Sequence, residues 1–544
     1  MSKVAHYLQQ HVLGEVTTSP DVRKHFSTDS GVFSMTPSVV VYPRGENDIR
    51  KVARFTWQLA ERGRVIPITA RGMGTDQSGA AIGSGIMMVF PAHMNRILEL
   101  DGKTGVVTIE PGINFGKLQQ TLHTHGRFLP PYPASSEYSS VGGAIANNAS
   151  GEKSLKYGST REFIKTLRVV LANGEVIETG RLSKRELSKK MGLTSLEGEI
   201  YRQLDALIDE SHDLIKGHRL EVSKNSAGYD IFDVKRKDGS FDLTPLIVGS
   251  QGTLGVVSEA VIETLPHNPD TTLMVAFFDD LRVAEQAIKE IAGFNDRPSA
   301  LEFVDEHLLN FVDQHNPNHL RGILDKPFSK LVALIEFDNA NPRLQKKLAK
   351  KAGKILSQNQ ISYRIETDDQ QKEKLWKIRH ASYMVSSHSE GNQKALPIIE
   401  DGVVPMDKFD EYLNGVYALF ARNNLKPAIW GHGGDASLHM QPILDLAQVG
   451  DRQKIFRMID EYYKLVISLG GSTTGEHGDG RLRAPYLKEL YGEQLYGVFQ
   501  KVKQIFDPYG TLNPGVKINV TLEDIKPLLR QEYSLPNNQH MPRS

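Results

Sequence analysis

Nine residues, Gly431-His432-Gly433-Gly434-Asp435-Ala436-Ser437-Leu438-His439, leave the backbone around them few choices. Two histidines seven positions apart point to opposite sides of a straight strand, because side chains alternate with period two. A turn at Gly433-Gly434, where positive φ costs a glycine little, removes that obstacle and lets both imidazoles converge. Beyond the turn Ser437, His439 and Gln441 share one face while Leu438 and Met440 share the other, which predicts a half-buried strand with a polar edge. A second stretch, Gly475-Glu476-His477-Gly478-Asp479-Gly480, follows a helical pattern from Ile455 to Leu469, and its consecutive Glu476 and His477 point apart. His432, His439 and Glu476 make a two-histidine, one-carboxylate set that suits a metal with open positions, and His477 is a base beside it. Taken singly, each histidine reads as a satisfied residue in a glycine-rich turn. The joint pattern, with glycine flanking every polar group, favours a site.

At 544 residues the chain is too long for one compact core, so two or three domains are expected. Lys+Arg and Asp+Glu both number 65, and a formal net charge of zero gives no electrostatic reason for a nucleic-acid partner. There is no cysteine, which excludes disulfides, thiolate nucleophiles, cysteine-held iron–sulfur clusters and a cysteinyl–flavin bond. Redox chemistry here must use a bound organic cofactor or a metal on N and O ligands. No apolar run predicts a transmembrane helix, and Met1–Tyr7 lacks the apolar core of a signal peptide. A cytoplasmic location is expected, compatible with peripheral contact at the inner face of a membrane.

Along the chain, helices are expected over Val4–Leu13, Asn47–Arg62 and Phe115–His125, and strands within Thr36–Pro43 (between its prolines) and over Val65–Thr69, Met87–Phe90 and Val106–Glu110. The strand ending at Thr69 runs into Ala70-Arg71-Gly72-Met73-Gly74-Thr75-Asp76-Gln77-Ser78-Gly79, whose glycines let backbone N–H groups crowd an anion such as a pyrophosphate while Arg71 adds charge. It matches neither the dinucleotide fingerprint nor the G-x-x-x-x-G-K-[ST] phosphate loop. From Pro133 to Gly151 small residues dominate, with Val141, Ile145 and Ala146 making the stretch too apolar for a solvated tether; it reads as backbone lying against a flat ligand. Val169–Glu178 is a hairpin with Asn173-Gly174 as a type I′ turn. Gly249–Val257 reads as a glycine-punctuated strand, and Pro266–Pro269 as a domain boundary. From Thr272 strands and helices alternate in a split β-α-β pattern, with helices on one face of a mostly antiparallel sheet. The tail beyond Glu532 is polar and expected to fray.

These residues resemble the FAD-linked D-2-hydroxy acid dehydrogenases, the D-lactate dehydrogenase and glycolate oxidase large-subunit type, in the vanillyl-alcohol oxidase / p-cresol methylhydroxylase superfamily. The similarity runs from about Phe26 to Lys517; its specific markers are Gly431–His439, Gly475–Gly480 and Leu512-Asn513-Pro514-Gly515. The resemblance implies an α+β fold: a two-subdomain FAD-binding domain (1–266, completed by 507–544) and a ferredoxin-like split β-α-β cap (267–506) carrying the metal site. It implies that Arg71, Gly72, Met73, Gly74, Thr75 and Ser78 cradle the pyrophosphate. Pro133, Ser135, Ser136, Ser139, Gly142, Gly143, Asn147, Ser150 and Gly151 would line the ribityl chain and isoalloxazine. Gly255 and Val257 would support the cofactor, and Asn513 would reach towards the flavin. His432, His439 and Glu476 match the ligand positions of a divalent metal (zinc first, manganese or iron next), and His477 matches the base. Arg379 matches the arginine that pairs with the substrate carboxylate, and Lys394 falls where a substrate-side lysine is expected. The chain departs from the family at Met73-Gly74, at Ala436-Ser437 and at Gln441, the last in the substrate pocket. No histidine stands where some relatives tether flavin, so FAD is expected to be noncovalent.

The expected reaction is oxidation of a D-2-hydroxy acid, D-lactate favoured, to the 2-oxo acid. The reduced flavin would pass electrons to an external quinone, cytochrome or electron-transfer flavoprotein, and a homodimer is compatible with this reading. Three rivals remain: a zinc hydrolase on the same ligand triad, a non-catalytic electron-transfer subunit, and a same-fold flavoprotein using FAD for non-redox chemistry.

Overall fold

The computed structural model describes residues 3–534 and 540–542; of the tail expected to fray, 535–539 and 543–544 lie outside the described residues. A four-stranded sheet takes the order Glu15–Thr17, Val39–Tyr42, Ile86–Val89, Ile68–Arg71, and the last three strands pair in parallel. Parallel pairing requires a crossover, supplied here by the helix Glu46–Ala60, which buries Ile49, Val52 and Ala53. The strand Ile68–Arg71 delivers the glycine-rich loop at its C-terminal end, where open α/β sheets hold ligands. A second, antiparallel sheet runs Ile97–Asp101, Val106–Ile109, Val256–Glu263, Ile164–Val170, Val176–Glu178.

The third sheet is antiparallel throughout, in the order Ser362–Glu366, Thr272–Phe278, Leu331–Phe337, Ala300–Asp305, Ile429–His432, Ser437–Met440. Its first four strands, with the helices Leu281–Ala292 and Pro342–Gln358, form the expected split β-α-β unit. The helices do not keep to one face. Leu281–Ala292 and Pro342–Gln358 cover Met274, Ala276, Phe303 and Ile335, whereas Glu306–His315 and Asp369–His380 cover Leu273, Val275, Val304 and Leu334. Thr272–Phe278 and Leu331–Phe337 are apolar at both parities, and a strand apolar on both faces needs two covers.

Three local expectations change. The small-residue stretch contains a helix, Val141–Asn147, capped by Ser140, whose Oγ accepts from the Gly143 N–H. Paired glycines hide it from a propensity reading. The 169–178 hairpin forms, but with Leu171 bonded to Glu175 and only Gly174 at positive φ (+83°), so the loop is a three-residue one and not type I′. The strand placed at 249–257 begins at Val256, after a turn with Gln251 and Gly252 at positive φ. The helix Leu487–Phe506 buries Leu495, Phe499 and Val502 among the side chains of the second sheet's core. Among the described residues no helix is long and apolar enough to cross a membrane.

Candidate active site

Ile429–His432 pairs with Ser437–Met440, placing Trp430 opposite His439 and His432 opposite Ser437. Residues opposite each other across a pair share a face, and His432 lies two positions from Trp430, so the two imidazoles point the same way. Their ring centroids are 5.1 Å apart. The chain reverses through a 3-10 turn, Gly433–Asp435, and Ala436 at φ +50°; the positive-φ residue is the alanine, not the glycine pair. Glycine is needed for room instead: a Cβ on Gly431 would sit 2.1 Å from the Ser437 carbonyl oxygen, and one on Gly434 2.4 Å from Leu155 Cδ2. Ser437–Met440 is buried on both faces, so its polar edge meets other protein groups and not solvent.

Glu476 lies across this hairpin with Oε1 3.0 Å from His432 Nε2 and 3.2 Å from His439 Nε2. Its Oε2 accepts from Ser150 Oγ at 2.5 Å and from Lys224 Nζ at 3.3 Å. Behind the imidazoles, His432 Nδ1 meets Glu302 at 2.8 Å and His439 Nδ1 meets Glu400 at 3.2 Å. A carboxylate behind each ring fixes its plane and tautomer and turns Nε2 inward, as around metal-ligating histidines. His477 Nδ1 lies 2.8 Å from the same Glu400, whose other oxygen is paired with buried Arg483.

The charge balance points the same way. Burial pulls the His432 imidazolium down, but Glu302 and Glu476 outweigh it and hold His432 up to about 9. For His477 burial is again opposed, by Glu400 and Asp401, which hold it up to about 10. Burial disfavours charge on Glu400 and Glu476 too, yet His477 and Arg483 keep the first, and Lys224 and His432 the second, well below the usual carboxylate range. Protons on the histidines compensate an excess of buried carboxylate that a cation would compensate equally well. Donor types, convergence within 4.8 Å and local charge all fit a divalent ion at His432, His439 and Glu476.

One cavity of about 1010 Å³ connects this cluster to the glycine-rich loop, at the upper end of the ~300–1,000 Å³ usual for ligand sites. Arg71 to Thr75, Pro133, Ser135, Ser136, Ser139, Gly142, Gly143, Asn147, Gly151, Gly255 and Val257 line it, with His432, His439, Glu476, His477 and Arg379 at the histidine cluster. Buried Ser139 Oγ, Gln77 Oε1 and Arg71 Nε, all on lining residues, have no partner among the described residues. Such orphaned donors and acceptors fit a polar, dinucleotide-sized ligand.

Some expected residues sit elsewhere. Ser78 is fully buried and donates to Asp76, while Asn513 donates from Nδ2 to the carbonyls of Ala80 and Gln251; both brace the loop from behind. Ser150 orients Glu476 and is not among the lining residues. Arg71 spends Nη1 on the carbonyls of Thr28 and Ala81. Lys394, on the short strand Gln393–Ala395, is bonded to Ser389 and is also absent from the lining. Arg379 is buried, with Nε on Glu302 at 2.8 Å and Nη1 on Ser382 Oγ at 3.2 Å.

The sequence reading missed Glu302, Glu400, Arg483 and Lys224. A signal existed: Glu302 interrupts Ala300-Leu301-Phe303-Val304, and Glu400-Asp401 follow Ile398-Ile399, so these acids fall inside apolar runs and must be paired if buried.

Two family models match the chain: an FAD binding domain over 37–180 and the C-terminal domain of FAD linked oxidases over 267–516. A D-2-hydroxyglutarate dehydrogenase of Pantoea ananatis is 31% identical over 93% of this chain and 50% of its own length. This chain therefore spans about half of that relative. A D-lactate dehydrogenase of Archaeoglobus fulgidus is 27% identical over 88% of the chain and 90% of its own. Among solved structures, p-cresol methylhydroxylase with substrate bound aligns with a TM-score of 0.69 at 13% identity over 96% of this chain and 97% of its own, a likeness of fold.

Proposed function

This chain belongs to the FAD linked oxidases, and from that premise we propose that it oxidises D-2-hydroxy acids to 2-oxo acids. The observation that carries the reading is the opening of one cavity onto both the glycine-rich loop and the cluster of His432, His439, Glu476, His477 and Arg379. When bound, FAD supplies the acceptor for the hydrogen on substrate C2, and a divalent ion held by His432, His439 and Glu476 supplies polarisation of the hydroxyl.

The rest is work for the chain's own residues. Arg379, fixed through Nε by Glu302 and through Nη1 by Ser382, has its N–H groups left over from these two bonds for a substrate carboxylate, which sets the face of C2 that is presented. Where a neighbouring cation balances the Glu400–Asp401 charge and leaves the imidazole neutral, His477 receives the hydroxyl proton on Nε2 while Glu400 holds Nδ1. Its affinity for that proton is tuned by how much of the Glu400–Asp401 charge is matched by a neighbouring cation. Glu302 and Glu400 keep His432 and His439 aimed inward, and Lys224 with Ser150 holds Glu476. Electrons then leave to an external acceptor such as a quinone, a cytochrome or an electron-transfer flavoprotein.

The division into a flavin domain (1–266, completed by 507–544) and a cap (267–506) is part of this proposal. Packing of Leu487–Phe506 against the second sheet's core supports moving the later boundary to the start of that helix. D-lactate is the first substrate to test. D-2-hydroxyglutarate is the second, because His380, 3.3 Å from Glu152, and Gln441 line the cavity and offer donors to a second carboxylate. The test is anaerobic titration with D-lactate, D-2-hydroxyglutarate and glycolate, following the flavin band near ~450 nm with and without chelator. Bleaching by one D-acid, blocked by chelator, is expected. A colourless protein unable to take up FAD would sink the proposal, and a yellow protein bleached by no acid would sink the substrate class.

A further inference from the structure

The matched family domain ends at residue 516, yet the chain continues and returns to the cavity. Ser34 donates its N–H to the Leu528 carbonyl at 2.8 Å, Phe33 and Leu529 form a β-bridge, and Arg530 donates its N–H to Val32 at 2.9 Å. The Arg530 guanidinium is buried and fully engaged. Nη1 donates to the carbonyls of Gly31 (3.0 Å) and Asp29 (3.3 Å), Nε to Glu532 (3.1 Å), and Nη2 to Ser534 (3.0 Å). One residue, through its backbone and guanidinium, thus ties residues 29–32 to residues 530–534.

The segment it secures is the one beneath the glycine-rich loop. Ser30 donates both its N–H (3.0 Å) and its Oγ–H (3.2 Å) to the Gly74 carbonyl, and a Cβ on Gly31 would meet the Gln77 carbonyl oxygen at 2.8 Å. Tyr533 completes the stack. Its hydroxyl donates to the Ser30 carbonyl at 2.7 Å, the Arg530 guanidinium lies 5.0 Å from its ring centroid, and it lines the cavity beside Ser30, Gly74 and Gln77. A half-buried aromatic ring whose one polar atom is used behind it presents carbon to the cavity.

We propose that residues 528–534 belong to the cofactor site: Tyr533, pinned by Arg530, walls the phosphate end of the cavity and slows release of the dinucleotide. The inference rests on FAD occupying this cavity and goes beyond the reaction assigned to it. It is tested on the purified holoenzyme with Tyr533→Ala and Tyr533→Phe, by the return of flavin fluorescence on dilution and by thermal unfolding of the flavin-free protein. Tyr533→Ala should raise the FAD dissociation constant about tenfold, chiefly through a faster off-rate, and Tyr533→Phe about threefold, both at unchanged unfolding temperature. Retention of FAD within twofold of wild type in both variants would overturn the proposal. So would a fall in the unfolding temperature that parallels the loss of flavin, since the segment would then brace the fold and not the site. A wild-type protein that takes up no FAD would instead defeat the functional reading beneath it.

Discussion

Among the described residues, Glu302 is the one side chain that touches both a proposed metal ligand and the proposed substrate arginine. Its Oε1 meets His432 Nδ1 at 2.8 Å, its Oε2 accepts from Arg379 Nε at 2.8 Å, and it is 1% exposed. Glu302→Gln keeps the volume but replaces one acceptor oxygen by an NH₂ group that faces an N–H. A hydrogen bond to a charged group is worth ~1.5–3 kcal/mol, and a buried donor left without a partner costs ~1–3 kcal/mol. Removing the carboxylate behind a ligating histidine typically lowers metal affinity ~10–100-fold, which is ~1.4–2.7 kcal/mol. The variant should therefore need ten to a hundred times more Zn²⁺ to recover after chelator treatment and dialysis. KM for the hydroxy acid should rise as well, because Arg379 loses the group that holds it. Flavin content should not change, since Glu302 is absent from the cavity wall. The assay is titration of the metal-depleted holoprotein with Zn²⁺ or Mn²⁺, reading the rate of flavin bleaching by substrate. A metal requirement within threefold of wild type would refute the orienting role, and loss of flavin would refute the claim that the effect is local.

His477→Ala should stay yellow and lose flavin reduction by ~10²–10⁴-fold, the range of a positioned base; reduction within about tenfold of wild type removes His477 from that role. Gly431→Ala forces a Cβ to 2.1 Å from the Ser437 carbonyl oxygen, so the hairpin carrying His432 and His439 must spread. Zn²⁺ binding should be lost while FAD uptake persists, and calorimetry that finds wild-type metal affinity contradicts this. Burial, reinforced by Asp76, pushes the Asp29 carboxyl up to about 7. The native state thus keeps a proton that the unfolded chain releases near ~3.9. Stability from this group is present below that pH and is lost as pH rises through 7. Asp29→Asn should flatten this part of the unfolding-temperature profile of the flavin-free protein between pH 4 and 8, and parallel profiles would show the group is not protonated.

The sequence by itself determined the alternating elements of the cap, because Leu281–Ala292 carries a helical apolar period and Thr272–Phe278 and Leu331–Phe337 are short continuous apolar runs. It also singled out the histidines and glycines of the candidate site, because close approach leaves glycine where no other residue fits: Gly431 and Gly434 are such positions. The reason for those glycines was not legible, since steric room and positive φ both select glycine, and only the contact with Ser437 and Leu155 separates them. Tertiary structure alone decided which acids stand behind the imidazoles. Glu302 and Glu400 lie 130 and 39 residues from their histidines, and a hydrogen bond over that separation leaves no local pattern. It decided likewise that Ser78, Asn513 and Lys394 turn away from the cavity, because side-chain direction depends on what packs behind each residue. The return of Arg530 and Tyr533 to Gly31 and Ser30 beneath the glycine-rich loop, some five hundred residues away, is of the same kind: composition marks that tail as polar, and only the fold supplies carbonyls for its arginine to bind.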